Sequence, residues 1–418
     1  MEHGIGASTW AALALIILAA KAGGELATRL RQPAVLGELL AGVVLGNLPF
    51  ALLDEASRGP GLAFAAELGV MLLLFQVGLG SSLGDMARVA PRAGAVAVLG
   101  VVFPSVLGVG VSRLLLPEAS VAEHLFIGST LCATSVGITA SVLKDLDVLG
   151  TQEARVILGA AVIDDVLGLV VLAIVSAVAT TGAPSALDIA RIAGTAVAFV
   201  VGALAIGLWL TRGVYRVAAT LRGEHVLGAL SIAFCVLLAS ASATAGLAPI
   251  VGAYAAGLLL DEVSVRPFGE RGLKHVEDFV SPIAAVFAPV FFVKTGMDVK
   301  LAGLDGSVLA LAGLLALVGV VGKIGAGLGV RSGDRLTIGL GMVPRGEVGL
   351  IFAAAGAKLE VGGKPLFSRG IYAALVTAVF ATTVVAPPLL ARRIRMRNRR
   401  GGARVDSSSS ETEREEPV

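Results

Sequence analysis

The stretch GAAVIDDVLGLVVLAIV, residues 159–175, decides the fold class. It is apolar throughout except for two adjacent acids, Asp164 and Asp165, and it belongs to an apolar run long enough for the roughly 20 residues of a membrane-spanning helix. A charge at the middle of a bilayer costs about 2.5 to 3.5 kcal/mol on insertion scales. Two acids at that depth therefore indicate a functional site inside a membrane protein.

The rest of the chain has the same apolar character. Of its 418 residues, 56% are hydrophobic and 15% are charged, whereas soluble domains average about 45 to 50% and about 25%. This composition excludes a water-soluble globular enzyme. The apolar stretches are also far longer than the roughly 10-residue strands of an outer-membrane barrel. The 54 glycines are typical of membrane helices that approach each other across small residues. The sequence thus predicts an all-α polytopic membrane protein.

Apolar stretches predict about 13 transmembrane spans. They cover 9–30, 33–50, 62–80, 93–116, 121–143, 156–181, 189–211, 225–244, 246–260, 276–297, 306–330, 336–357 and 369–391. Loops on the side of the carboxyl terminus hold roughly 14 lysines and arginines, against roughly 8 on the other side, before the basic tail is counted. Because basic loops stay inside the cell, we predict an external amino terminus and a cytoplasmic carboxyl terminus.

Two spans contain polar breaks. The fifth, LFIGSTLCATSVGITASVL (125–143), carries Thr134 and Ser135, and the twelfth, GLGMVPRGEVGLIFAAAG (339–356), carries Arg345 and Glu347. Non-helical backbone at this depth is tolerated only inside protein or against an aqueous cavity. In each half of the chain the broken span is the second-last of six, with the seventh span between the halves. This arrangement predicts inverted six-helix repeats whose two discontinuous helices cross near the midplane.

One more charge lies within a span. Lys323, in ALVGVVGKIGAGLGV (316–330), could extend its amine to the membrane interface, or it could be the counter-charge of Asp164 or Asp165. Successive helical residues point about 100° apart, so one acid can bind an ion while the other pairs with a base. Lys294, beside Asp298 near the outer end of the tenth span, is interpreted as an interfacial anchor.

Five motifs follow each other along the chain: RQPAVLGELLAGVVLG (31–46), ATSVGITASVLKDL (133–146), IDD (163–165), GKIGAG (322–327) and MVPRGEVGL (342–350). In this order and spacing they resemble the bacterial sodium/proton antiporters of the cation:proton antiporter superfamily, specifically the NapA-type branch with thirteen transmembrane helices. The resemblance implies a dimerisation domain and a mobile core domain that carries the ion by elevator-like movement. It also implies a homodimer.

The resemblance assigns roles to individual residues. Asp165 looks like the main carrier of the ion and the proton, and Asp164 looks like the partner of Lys323, so Na⁺ is expected at Asp165 and Asp164. Thr134 and Ser135 look like the lining of the unwound crossover.

The resemblance implies a charge pair in the other crossover, formed by Arg345 and Glu347. It further implies exchange of Na⁺ (or Li⁺) for H⁺ without a cofactor. Electroneutral relatives have Asn-Asp at the acid pair, so Asp164 favours electrogenic exchange. No large nucleotide-binding domain like that of the glutathione-gated potassium efflux branch is expected after the last span, which disfavours that branch.

The expected organisation is a transmembrane antiporter domain over 1–391 and a basic, then polar, cytoplasmic tail over 392–418 that is disordered. We expect a multi-pass protein of the cell inner (plasma) membrane. Its partners would be monovalent cations, protons and the lipid bilayer. No nucleic-acid partner is expected, since the basic residues lie in loops and the tail.

Two other transport functions stay open at this point, a K⁺/H⁺ antiporter and a Na⁺-coupled symporter of organic anions on the same fold. A channel would show downhill flux without exchange. An intramembrane aspartyl protease needs its two carboxylates on separate helices, facing each other across a peptide bond. Asp164 and Asp165 are neighbours on one helix, which disfavours that chemistry.

Overall fold

The computed structural model describes residues 7–49, 59–79, 83–181, 226–245, 248–269, 276–299, 305–361 and 364–412, with isolated residues between 187 and 202. Some side chains inside the helices lie outside this description, among them that of Glu347 and those of 261–269 and 398–412. The seventh predicted span, 189–211, falls largely outside the described residues.

The described part of the chain is almost entirely helical. Its helices are α1 Ala7–Arg29, α2 Ala34–Asn47, α3 Pro60–Leu79, α4 Leu83–Leu115, α5 Val121–Thr130, α6 Val136–Asp145, α7 Gln152–Thr181, α8 Val226–Thr244, α9 Pro249–Gly269, α10 Val276–Met297, α11 Gly306–Ala326, α12 Arg335–Gly341, α13 Glu347–Lys358 and α14 Arg369–Thr412. A short antiparallel ribbon joins β1 (Glu360–Val361) to β2 (Lys364–Pro365), with Glu360 opposite Pro365. Among the described residues, seven helices are long and apolar enough to cross a membrane, which confirms the predicted class.

The helices pack into two bundles. The first bundle contains α1–α3 and α8–α10, and the second contains α4–α7 and α11–α14. Each bundle draws from both halves of the chain, as an inverted repeat requires. Small residues let helices touch within a bundle, because a Cβ built on Gly78 of α3 would lie 2.9 Å from the Cα of Gly257 in α9. This close approach is the packing predicted from the glycine content.

Both predicted breaks are present. The fifth span divides into α5, which ends at Thr130, and α6, which begins at Val136. The twelfth divides into α12 and α13, with Met342–Gly346 between them. Pro344 in the second break lacks a backbone donor, and Gly346 loses much conformational freedom in a helix, so both favour a helix end there.

The short helix α12 is fixed at its far end. Asp334 caps it by accepting the N–H of Thr337 at 3.1 Å and forms an ion pair with Arg393 of α14 at 2.9 Å. Partial burial acts to raise the pKa of Asp334, but hydrogen bonds from Arg393 and Thr337 prevail and hold it below its usual range. Arg397 of α14 pairs with Glu153 of α7 at 2.6 Å. These contacts join the last helix to the rest of the second bundle.

The tail differs from the expectation. The sequence predicts disorder from 392 onward, whereas α14 continues as a helix through Thr412. Arginine is a good helix former, so the arginine-rich segment 392–400 can extend the helix past the apolar span. The division of the chain at residue 391 stays a prediction.

Candidate functional site

The two breaks cross and satisfy each other's backbone. The N–H of Ser135, at the first break, donates to the carbonyl of Pro344, at the second, at 2.7 Å. The hydroxyl of Thr134 donates to the carbonyl of Met342 at 3.2 Å, and that of Thr139 donates to the carbonyl of Gly341 at 2.8 Å. Buried backbone groups need such partners inside a membrane, so each break stabilises the other.

Arg345 fills the other side of the crossing. It is fully buried, and its Nε and Nη2 donate to the carbonyl of Leu131 at 3.1 and 2.5 Å, while Nη2 also donates to that of Gly319 at 3.2 Å. Leu131 caps the carboxyl end of α5, where the helix dipole is negative. The guanidinium therefore neutralises that helix end. The hydroxyl of Thr383 in α14 donates to the carbonyl of Arg345.

A buried ion pair lies beside the crossing. Lys323 of α11 places its Nζ 3.2 Å from Oδ2 of Asp164 and 2.6 Å from the hydroxyl of Thr134. The side chains of Lys323 and Asp164 are 0% and 1% exposed. The amine thus points into the protein instead of toward the membrane interface, and Thr134 connects the pair to the second break.

Asp165, the adjacent acid, has a different environment. It is 6% exposed and lines a cavity of about 480 Å³ between the two bundles. Glu67 of α3 and Asp298, which follows α10, line the same cavity and are exposed at the surface. These exposed lining residues, near the start of α3 and after the end of α10, lie at the end of the helices at which α1 begins, here called the amino-terminal side. Asp165 is therefore reachable from that side, while Asp164 is enclosed.

On the opposite side, polar contacts join the bundles. Lys144, at the end of α6, donates to Oε1 of Gln76 in α3 at 2.6 Å, and its neighbour Asp145 accepts the N–H of Ala34 at 3.3 Å. Both groups follow the predicted span 121–143. Burial raises the pKa of Asp145 and lowers that of Lys144. These contacts tie α6 to α2 and α3 of the first bundle at the end remote from the cavity.

The structure brings together most residues singled out from the sequence. Asp164, Lys323, Thr134 and Ser135 meet at the crossing. Arg345 lies there too, but the hydrogen bonds of its guanidinium go to carbonyls, and the side chain of Glu347 lies outside the described residues. The Arg345–Glu347 pair stays a prediction.

Sequence reasoning missed several contributors. Thr383 is a hydroxyl in an apolar span, which is a weak signal, because such hydroxyls commonly bond their own helix, as this one also does to Val379 at 2.8 Å. The carbonyls of Leu131 and Gly319 have no sequence signature at all. Across the described residues, no cluster of three or more His, Cys, Asp and Glu side chains could hold a metal ion.

Two crossed broken helices, an enclosed ion pair and a cavity that reaches the adjacent acid define a membrane transporter. Residues 12–392 match the family model for the transmembrane sodium/hydrogen exchanger. The chain therefore belongs to the sodium/hydrogen exchanger family. This is a family of ion transporters rather than enzymes.

Similar proteins agree with this placement. The chain is 35% identical to the high-affinity Na⁺/H⁺ antiporter NhaS3 of Synechocystis sp., over 90% of this chain and 88% of that protein. It is also 35% identical to the probable Na⁺/H⁺ antiporter GerT of Bacillus cereus, over 90% of this chain and 97% of that protein. The structure of the sodium proton antiporter MjNhaP1 from Methanocaldococcus jannaschii superposes with a TM-score of 0.66 at 17% identity, covering 93% of this chain and 97% of that one. This last likeness shows the fold.

Proposed function

We propose that the protein is a secondary antiporter that exchanges Na⁺ (or Li⁺) for H⁺ at one site near the helix crossing. The observation that carries the proposal is the contrast between neighbouring acids. Asp164 is enclosed with Lys323 at 3.2 Å, and Asp165 lines a cavity open to solvent. Na⁺ and H⁺ can then compete for the same carboxylates, which couples the two fluxes. The names of NhaS3 and GerT support this choice of ions.

The exchange follows from charge balance. When a cation enters from the cavity, it binds the carboxylate of Asp165 and displaces a proton. The cation also compensates the charge of ionised Asp164 in place of the Lys323 ammonium, so Lys323 releases the second proton from the pair. The hydroxyls of Thr134 and Ser135 lie at the crossing, and oxygen ligands of this kind suit a hard monovalent cation.

Two protons for one Na⁺ would make the exchange electrogenic. The membrane potential would then contribute about 2.3 kcal/mol per 100 mV for the net charge moved. Asp164, where electroneutral relatives have Asn, favours this stoichiometry and the NapA-type branch. Lys323 supplies a positive charge in the site when the cation is absent, so the empty carrier need not hold an uncompensated acid.

Alternating access is proposed to occur by an elevator-type movement of the second bundle against the first. The division of the helices into two bundles supports it, as do the polar contacts of Lys144 and Asp145, which join the bundles on the side of the site remote from the cavity. We further propose a homodimer in the cell inner membrane, with the amino terminus outside and the carboxyl terminus in the cytoplasm.

Proteoliposomes loaded with a pH-sensitive dye test the proposal. We expect Na⁺-driven proton flux in the wild type and background flux in Asp165→Asn and Asp164→Asn. The matched control is Glu25→Gln, which removes an exposed acid of α1 and should keep the wild-type rate. Full Na⁺-dependent proton flux in either Asp variant would contradict the assignment.

The same vesicles separate the rival functions. Flux driven by K⁺ alone would indicate a K⁺/H⁺ antiporter, and a requirement for an organic anion would indicate a symporter. Repeating the assay with and without a clamp of the membrane potential decides electrogenicity, since an electroneutral exchanger keeps the same rate in both conditions.

A further inference from the structure

Lys294 occupies a position that interfacial anchoring does not explain. Its Nζ lies 3.0 Å from both carboxylate oxygens of Asp298, one turn further along the chain. The Lys294 side chain is only 20% exposed, whereas that of Asp298 is 44% exposed. An anchoring lysine directs its amine away from protein, into the headgroups. Here the amine is held at the mouth of the cavity that leads to Asp165.

The mouth of the cavity has a simple charge inventory. Of the described residues that line the cavity, the ionisable ones are Asp165 at depth and Glu67, Asp298 and Lys294 near the surface. Lys294 thus cancels one of two surface acids and leaves a net charge of about −1 on the path that a cation would follow. Clefts with low-dielectric walls focus such charges, so a single fixed charge changes the local cation concentration appreciably.

We propose that Lys294 is a positioning residue that sets the apparent cation affinity of the transport site on the amino-terminal side. It binds the Asp298 carboxylate, with its Nζ 3.0 Å from both oxygens, and offsets part of the negative potential of the mouth. The inference rests on the proposed exchange of cations for protons, and it adds a residue that controls affinity for the transported cation without binding it.

The net charge at the mouth of the cavity predicts the order of the apparent KM values among the wild type and three variants. Lys294→Gln leaves two surface acids, so the apparent KM for Na⁺ should fall about 3-fold to 10-fold. Asp298→Asn leaves Glu67 opposed by Lys294, so KM should rise by a similar factor. The double variant restores the wild-type net charge, and its KM should return to within about 2-fold of the wild type. Maximal rates should stay the same in all four proteins.

Two controls make the readout specific. Arg113→Gln removes an exposed charge from the same side of the membrane, at the end of α4, without touching the cavity, and should leave KM unchanged. Raising ionic strength with an impermeant, untransported salt should compress the differences among the four proteins, because screening weakens exposed charges. The effect should be confined to Na⁺ presented on the amino-terminal side of oriented vesicles.

Binding is measured separately, as the Na⁺ concentration that gives half-maximal protection against thermal unfolding in detergent. A wild type that binds Na⁺ but moves no protons contradicts the proposed function, while the order of half-saturation among the variants still tests Lys294. If the KM of the double variant departs from the wild-type value as far as that of either single variant, or if KM is equal in all four proteins, the Lys294 proposal is wrong. Lys294 then serves structure or anchoring.

Discussion

The two helix breaks lie against each other, yet they are stabilised by different chemistry. At the break between α5 and α6, the buried carbonyl of Leu131 accepts hydrogen bonds from the guanidinium of Arg345. At the break between α12 and α13, the carbonyls of Met342 and Gly341 accept hydrogen bonds from the hydroxyls of Thr134 and Thr139. One break is therefore held by a full charge and the other by neutral donors.

This difference indicates which break can respond to the transport cycle. Arginine keeps its charge in proteins, so the support of the first break is permanent. The hydroxyl of Thr134 also accepts from Lys323, whose other partner is Asp164. Any change in the charge of that pair is thus transmitted through one hydroxyl to the second break. We infer that Arg345 fixes the carboxyl end of α5, whereas Thr134 couples the site to the second break.

The largest effect is expected at Arg345. Arg345→Met leaves the buried carbonyls of Leu131 and Gly319 without their charged donor, and we expect the free energy of unfolding to fall by about 3 kcal/mol. Thermal unfolding of purified protein in detergent measures the loss. Arg345→Lys keeps the charge but not the forked geometry, so its free energy of unfolding should lie between those of Arg345→Met and the wild type. A wild-type melting profile for Arg345→Met would remove the claim that a charge holds the first break.

A smaller effect is expected at Thr134. Thr134→Val removes the bridge between Lys323 and the carbonyl of Met342, at a cost of about 1 to 2 kcal/mol, and should also slow transport. Thr134→Ser keeps the hydroxyl and should behave like the wild type. The matched control is Thr130→Val, because the hydroxyl of Thr130 bonds the carbonyl of Phe126 in its own helix, at 2.9 Å. Equal losses in Thr134→Val and Thr130→Val would argue against coupling.

For each of these interactions, the sequence shows the side chain that takes part but not the group that it contacts. Polar residues, Pro and Gly inside apolar spans predict where the helices break, and a lone lysine predicts a buried partner. Adjacent helical positions do not reveal which acid faces Lys323, and only the family resemblance selects Asp164. The acceptors of Arg345 are backbone carbonyls, which every residue has. The cavity arises from packing between bundles, so helical periodicity could not distinguish Lys294 at its mouth from a lysine in headgroups.

The smallest effect on stability is expected at Ser135, where the backbone, not the side chain, crosses to the second break. Ser135→Ala keeps the 2.7 Å hydrogen bond from its N–H to Pro344, so the free energy of unfolding should change by no more than about 0.5 kcal/mol. In the proposed site the hydroxyl is a cation ligand, and its loss should raise the apparent KM for Na⁺ about 3-fold or more. Melting curves and Na⁺-driven proton flux of one preparation give both quantities. A raised KM at unchanged stability would show that the Ser135 hydroxyl binds the cation and that its backbone N–H alone supports the crossing. An unchanged KM would exclude the hydroxyl from the site, so that Ser135 contributes only its backbone hydrogen bond.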